Sequence, residues 1–372
     1  MWLTSSSIGR KVVMAVTGLA LVLFVTFHVL MNAVALLWPT AYNQVCEFLG
    51  ANWYALIASV GLAALFIIHI IYAVWLTLQN RAARGEDRYA VTARQPQVEW
   101  ASKNMLVLGI VVVAFLIVHL IQFWAKMQLQ EVMGNGLTEL PQLNGAACNP
   151  AMGTLFIQAA FSEPWTAIVY VIGFVALWFH MTHGFWSMFH TAGWDNNIWI
   201  SRLKTIGTWW ASIVVVLFIA QAAVFTVLAN KNYYTENEAL QEQYSEFWGE
   251  QANVVTEDFV KEYMAVVTPA QAGEISQEDA QAKFEEFFLT KGQAYLDRAE
   301  AISNGFKAQC PKVAGSEELQ RLESFKRSLG QQLMMIQMQK AQAQQPAAAA
   351  PADSVANDEA PVEVPEENST NE

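Results

Sequence analysis

Five stretches of this chain, residues 12–37, 53–78, 105–124, 165–189 and 209–228, contain no Asp, Glu, Lys or Arg. At about 1.5 Å of rise per residue, each is long enough to cross a hydrocarbon core roughly 30 Å thick. Helices buried in water-soluble proteins rarely stay uncharged over 20 residues. Five such windows therefore predict an all-α, polytopic membrane protein with five transmembrane helices. Hydrophobic residues make up 54% of the chain and charged residues 15%, which no ordinary soluble domain shows. The first window is too long for a signal peptide and lacks a small-residue cleavage site, so it is expected to remain as a span.

Charge divides the chain in two. Residues 1–230 hold 10 Lys and Arg against 8 Asp and Glu, whereas residues 231–372 hold 11 against 25. No basic patch with interleaved aromatics occurs, which sets nucleic-acid binding aside. Three segments follow: a five-helix membrane domain at 1–230, an acidic helical extension at 231–340, and an Ala/Pro/acidic tail at 341–372. In the extension, apolar residues recur at helical spacing over 257–267, 279–289 and 319–335. The last 32 residues have no periodicity and the composition of a disordered tail. No catalytic motif stands out in the extension, which reads as a helical cap or docking surface.

Loop charges set the orientation, because Lys and Arg are retained on the cytoplasmic side. Arg10 and Lys11 precede the first span. Arg81, Arg84, Arg88, Arg94 and Lys103 lie between the second and third, and Arg202 and Lys204 between the fourth and fifth. The other two loops hold only Lys126. The amino terminus is therefore expected inside and the acidic extension outside. Trp38, Trp53, Trp124 and Trp165 then mark the outer boundary. Cys46, Cys148 and Cys310 all fall on that side, where a Cys148–Cys310 bridge and free thiols are both open readings.

Histidine carries the candidate chemistry. His28, His69, His119 and His180 lie on four successive spans, and an ionisable group in hydrocarbon is a functional candidate by default. Single histidines also serve as hydrogen-bonding glue between helices. Depth separates the two readings. Counted from the inner ends at 1.5 Å per residue, His28 and His119 sit roughly 24 and 22 Å up, and His69 and His180 roughly 14 Å up. The four sort into an outer and an inner pair, the arrangement by which a helical bundle holds two b-type haems. Gly18 and Gly109 lie low on the helices whose histidines are high, and Gly61 and Gly173 lie high on the other two. Each helix thus offers a ligand at one depth and clearance for a macrocycle at the other.

Several motifs go further. They are Ser5-Ser6-Ser7-Ile8-Gly9-Arg10-Lys11 followed by Gly18, His28 and Asn32; Leu78-Gln79-Asn80-Arg81 with Ala83-Arg84-Gly85; Trp100-Ala101-Ser102-Lys103-Asn104-Met105; and His180-Met181-Thr182-His183-Gly184-Phe185-Trp186. Over roughly residues 1–230 the chain resembles the diheme cytochrome b subunit of succinate:quinone and fumarate:quinone oxidoreductases. The resemblance implies a membrane anchor, with a flavoprotein (FAD) subunit and an iron–sulfur subunit docked on the cytoplasmic face of a bacterial inner membrane. Electrons would pass through two haem b groups to a membrane quinone, menaquinone by expectation.

The resemblance also implies axial ligands at His28 and His119 for the outer haem, and at His69 and His180 for the inner. His183, one turn below His180, is expected to bond a propionate, a water or a quinone, and His190 to lie at the inner boundary. Arg10, Arg81, Ser102 and Lys103 are candidates for the inner propionates. Asn32 and Glu47 are candidates for an outer quinone site, where proton exchange needs a group near the quinone oxygens. The family usually ends soon after the fifth helix, so the extension is a departure on which the resemblance is silent. Two other readings stay open: the diheme anchor of another dehydrogenase or hydrogenase, and a haem-free membrane transport or binding protein.

Overall fold

The computed structural model describes residues 6–84, 100–133, 140–143, 145–194, 196–313 and 315–343. Ser6 caps helix α1 (Ser7–Leu37), its hydroxyl accepting from the Gly9 amide at 2.9 Å. The helix stops at Trp38, which precedes Pro39 and takes a non-helical backbone. Pro39 then opens the short helix α2 (Pro39–Ala51) at its first position, where a missing amide costs nothing. Helix α3 (Trp53–Arg84) follows.

After a short α4 (Trp100–Lys103) come α5 (Met105–His119) and a π-turn over Leu120–Trp124. Helix α6 (Gln128–Met133), the strands β1 (Gln142–Leu143) and β2 (Ala146–Ala147), and α7 (Gly153–Phe161) make the next loop. The strands pair antiparallel, with Gln142 opposite Ala147. Helices α8 (Pro164–Thr191) and α9 (Trp199–Asn230) complete the set. Among the described residues five helices are long and apolar enough to cross a membrane: α1, α3, the continuous 105–124 segment, α8 and α9. The chain is an all-α polytopic membrane protein by length and composition.

Helix α8 is the centre of the bundle, packed against α1, α5 and α9, while α3 leans on α1 and scarcely touches α5. The most apolar stretch of α3 accordingly buries nothing, against 39% of that of α9. Outward-facing Ile57, Ile67, Ile110, Ile168 and Val216 are exposed, as lipid-facing side chains must be. Trp38, Trp53, Trp124 and Trp165 are exposed as well.

At the start of the acidic extension, Asn232, with a left-handed backbone (φ 54°), turns the chain off α9 into α10 (Tyr233–Glu236). Asn237 then caps α11 (Glu238–Gln271) through the Leu240 amide at 3.1 Å. Helix α12 (Gln277–Phe287), a π-turn at Phe288–Gly292 and α13 (Gln293–Gln309) run back along α11. Lys291 reaches Glu262 at 2.9 Å, and the Trp248 indole donates to Gln309 at 2.9 Å. Helix α14 (Glu317–Ala343) packs against both, closing a three-stranded helical bundle around Trp248, Phe259, Phe288, Ile302, Phe306 and Leu322.

The three apolar stretches singled out in the sequence lie in these helices, with 288–289 in the π-turn. Helix α14 runs three residues into the segment expected to be disordered, and residues 344–372 lie outside the described ones.

The extension is not a separate body resting on the membrane domain, because a single apolar core runs from Val29 and Phe218 through Phe156 to Tyr244 and Leu333. Buried polar groups knit the junction. Asn43 of α2 accepts from the Thr154 amide at 3.0 Å and hydroxyl at 2.9 Å, and donates to Gln243 of α11 at 3.0 Å. The Tyr244 hydroxyl meets Thr154 at 2.7 Å. Gln309 donates to the Ala147 carbonyl at 2.6 Å. Cys148 and Cys310, both fully buried, and Cys46 are free thiols.

Candidate functional site

The spans bring the four histidines together in two pairs. His28 of α1 and His119 of α5 meet with ring centres 5.8 Å apart, and His69 of α3 and His180 of α8 at 6.3 Å. These residues are 91 and 111 positions apart on alternate spans that run parallel, so only packing of the bundle at matched depth makes them neighbours. Two imidazoles on one metal, with metal–nitrogen bonds of about 2 Å, hold their ring centres roughly 6 Å apart. Both pairs have that separation. Among the described residues no group of three or more His, Cys, Asp or Glu converges.

At the inner pair, the Thr17 hydroxyl donates to the Val13 carbonyl at 2.8 Å and stands 3.0 Å from Nδ1 of His69. Its single proton is committed to the backbone, so it accepts from His69 Nδ1–H and leaves Nε2 with the lone pair that a metal needs. Gly18 faces His69 and Gly109 faces His180. A Cβ on Gly18 would stand 3.7 Å from His69 Cε1, and one on Gly109 3.8 Å from His180 Cε1. His180 Nδ1 is buried without a hydrogen-bond partner.

At the inner end Arg10 lies over the Trp75 ring at 5.2 Å. With the Gln79 amide turned so that its oxygen faces them, that oxygen accepts from Arg10 Nη1 at 2.7 Å and Trp75 Nε1 at 2.8 Å. The buried Arg10 Nε has no protein partner, as an arginine placed to meet an anionic propionate would. Facing imidazoles, glycine clearance and an unsatisfied cationic donor together fit a haem at this depth.

Of the other propionate candidates, Ser102 is half-buried, while Arg81 and Lys103 are exposed. Arg84 begins a run whose side chains, with those of Arg88 and Arg94, lie outside the described residues. His183 packs edge-on to Trp186 at 4.9 Å, and Trp186 carries Lys204 Nζ 4.3 Å above its ring. His190 is exposed near the end of α8.

The outer pair sits among aromatic rings. Phe24 stacks on His28 at 5.3 Å, Phe218 lies 6.1 Å from it, and Phe115 and Phe123 flank His119. Asn32, one turn above His28, donates its amide toward Nε2 at 3.3 Å, so it touches the candidate ligand itself. Gly61 faces open space, while the Phe115 ring lies directly on Gly173. Those two glycines differ in what they admit.

Glu47 is exposed on α2. Beside it lies an acid that the sequence did not single out. The Glu131 carboxyl of α6 rests on Gly50, where a side chain would collide with it. Burial and then the like charge of Glu47 push its pKa up to about 7.

Thr17, Tyr170, Gln122 and Thr166 also escaped the sequence reading. Tyr170 hydrogen-bonds Nδ1 of His119 at 3.1 Å. The available signal was polarity inside uncharged windows, since such groups in hydrocarbon must find partners.

Comparison with protein-family models, with curated proteins and with solved structures finds no match to this chain.

Proposed function

We propose that this chain is the diheme cytochrome b membrane anchor of a succinate:quinone or fumarate:quinone oxidoreductase. The observation that carries the reading is the meeting of four histidines from four spans in two facing pairs. His28 and His119 would hold an outer haem b, and His69 and His180 an inner one. A haem held between two such imidazoles would supply one-electron transfer.

The chain's own residues prepare the sites. Thr17 fixes the His69 tautomer, Gly18 and Gly109 admit a flat face, and Arg10 neutralises propionate charge with help from Arg81, Ser102 and Lys103. Phe24, Phe115 and Phe218 exclude water from the outer pair.

In this reading the basic loops face the cytoplasm of a bacterial inner membrane, and the acidic extension is exported. The iron–sulfur and flavoprotein subunits dock on the inner loops, chiefly over residues 80–104. For succinate oxidation, haems held there would carry electrons from the His69–His180 end toward menaquinone at the His28–His119 end, with Asn32 and Glu47 as the quinone-site candidates. A reduced-minus-oxidised spectrum with haem quantification, together with identification of copurifying subunits, tests the assignment. Two b-type haems per chain and a flavin-containing partner are expected. A chain free of haem overturns it.

A further inference from the structure

As oriented in the structure, the hydrogen bonds behind His119 run one way. Gln122, three residues along and inside the π-turn, donates its side-chain Nε2 to the Thr166 hydroxyl at 3.2 Å. Its Oε1 therefore faces the other way and accepts from the Tyr170 hydroxyl at 2.9 Å. A phenol has one proton, and Tyr170 has given it to Gln122. Toward His119 Nδ1, 3.1 Å away, Tyr170 can offer only a lone pair, so Nδ1 carries the imidazole proton and Nε2 is left free. Tyr170 and Thr166 are both buried, so water does not compete for these bonds. The π-turn that begins immediately after His119 contributes by adding a residue to the turn, which changes the direction of Gln122 relative to a regular helix.

We propose that Tyr170 is a positioning residue that sets the tautomer and basicity of His119, and through it the reduction potential of the outer haem. The inference rests on the bis-histidine reading above. An imidazole that donates its outer N–H is a stronger electron donor through its other nitrogen. Stronger donation favours the ferric over the ferrous state and so lowers the potential. Thr17 acts on His69 by the same logic, but its proton ends on its own helix at Val13. The Tyr170 chain instead ties α5 to α8 through three side chains. The two haems would thus be tuned by separate and unequal devices.

The test is a potentiometric titration of the intact complex in membranes, following each haem band, for the wild type, Tyr170→Phe, Gln122→Leu and Thr17→Val. Tyr170→Phe keeps the ring and removes the acceptor. Haem content should stay at two, the outer potential should rise, and the inner should hold. Gln122→Leu should move the outer potential in the same direction by less, and Thr17→Val should move only the inner. Should Tyr170→Phe lose haem, Gln122→Leu decides. An unmoved outer potential in the haem-bearing variants, or an equal shift of both haems, overturns the proposal while leaving the two-haem reading intact. A wild-type complex without haem overturns both.

Discussion

At the scale of single residues, the four imidazoles divide by partner. On the proposed diheme reading, His28→Ala or His119→Ala should each remove the outer haem and spare the inner, whereas His69→Ala or His180→Ala should remove the inner. Haem quantification with low-temperature spectra reads the difference. His183→Ala should retain both haems, because its ring is occupied with Trp186 rather than with an opposing imidazole. Loss of a haem in His183→Ala with retention in His180→Ala would reassign the ligand on α8.

Glu131 supplies a pH dependence outside the spans. Its folded-state pKa, raised to about 7, exceeds the usual carboxylate value of about 4.3. The folded state therefore holds the proton more tightly, and docking of α6 on Gly50 is at full strength below pH 4 and weakens as pH rises through 7. Hydrogen exchange of residues 128–133, corrected for intrinsic rates, should be faster at pH 8 than at pH 6, and Glu131→Gln should abolish the difference. A wild type with equal protection at both values would show that the acid is not held neutral.

At the scale of elements, small residues decide how closely helices approach. In the extension the Trp248 indole lies directly on Gly305, so the α11–α13 contact tolerates no side chain there. Gly305→Ala should destabilise the helical bundle by about 1–3 kcal/mol through overpacking, and Trp248→Ala by about 3–5 kcal/mol through the cavity it leaves. Gly330, within α14, has nothing within 4 Å of where a Cβ would stand. Gly330→Ala should stabilise the same helix by up to about 1 kcal/mol, since alanine loses less backbone freedom. Protection of residues 293–336 in the full-length protein separates these outcomes. Equal effects of Gly305→Ala and Gly330→Ala would mean that the close approach at Trp248 is not limiting.

At the scale of the whole molecule, the extension acts as a clamp on α2, α7 and the β2 strand. Gln243 and Tyr244 hold α2 and α7 through Asn43 and Thr154, and Gln309 holds the β2 end. Truncation after Asn230 removes all of these partners and exposes Phe156 and Cys148. Protease cleavage within residues 140–161 should then become rapid in purified protein, with the inner haem unaffected. In right-side-out vesicles, added protease should trim the full-length chain from its carboxyl end. Protection there with cleavage in inverted vesicles would reverse the proposed orientation.

The helical, membrane-spanning character was legible in the sequence because each uncharged window meets the hydrocarbon criterion by itself, with no help from neighbours. The candidate histidine pairs were legible for a related reason. Fixed rise per residue turns a position in a span into a depth, and with successive spans reversing direction the depths of alternate, parallel spans compare directly. Tertiary structure alone decided what lies behind and above them. Tyr170 reaches His119 across 51 residues and Asn43 reaches Thr154 across 111. The apolar periodicity of the extension marks which face is buried but not what buries it. Its fusion with α2 and α7 into one core depends on side chains distant in sequence fitting together, which no local pattern encodes.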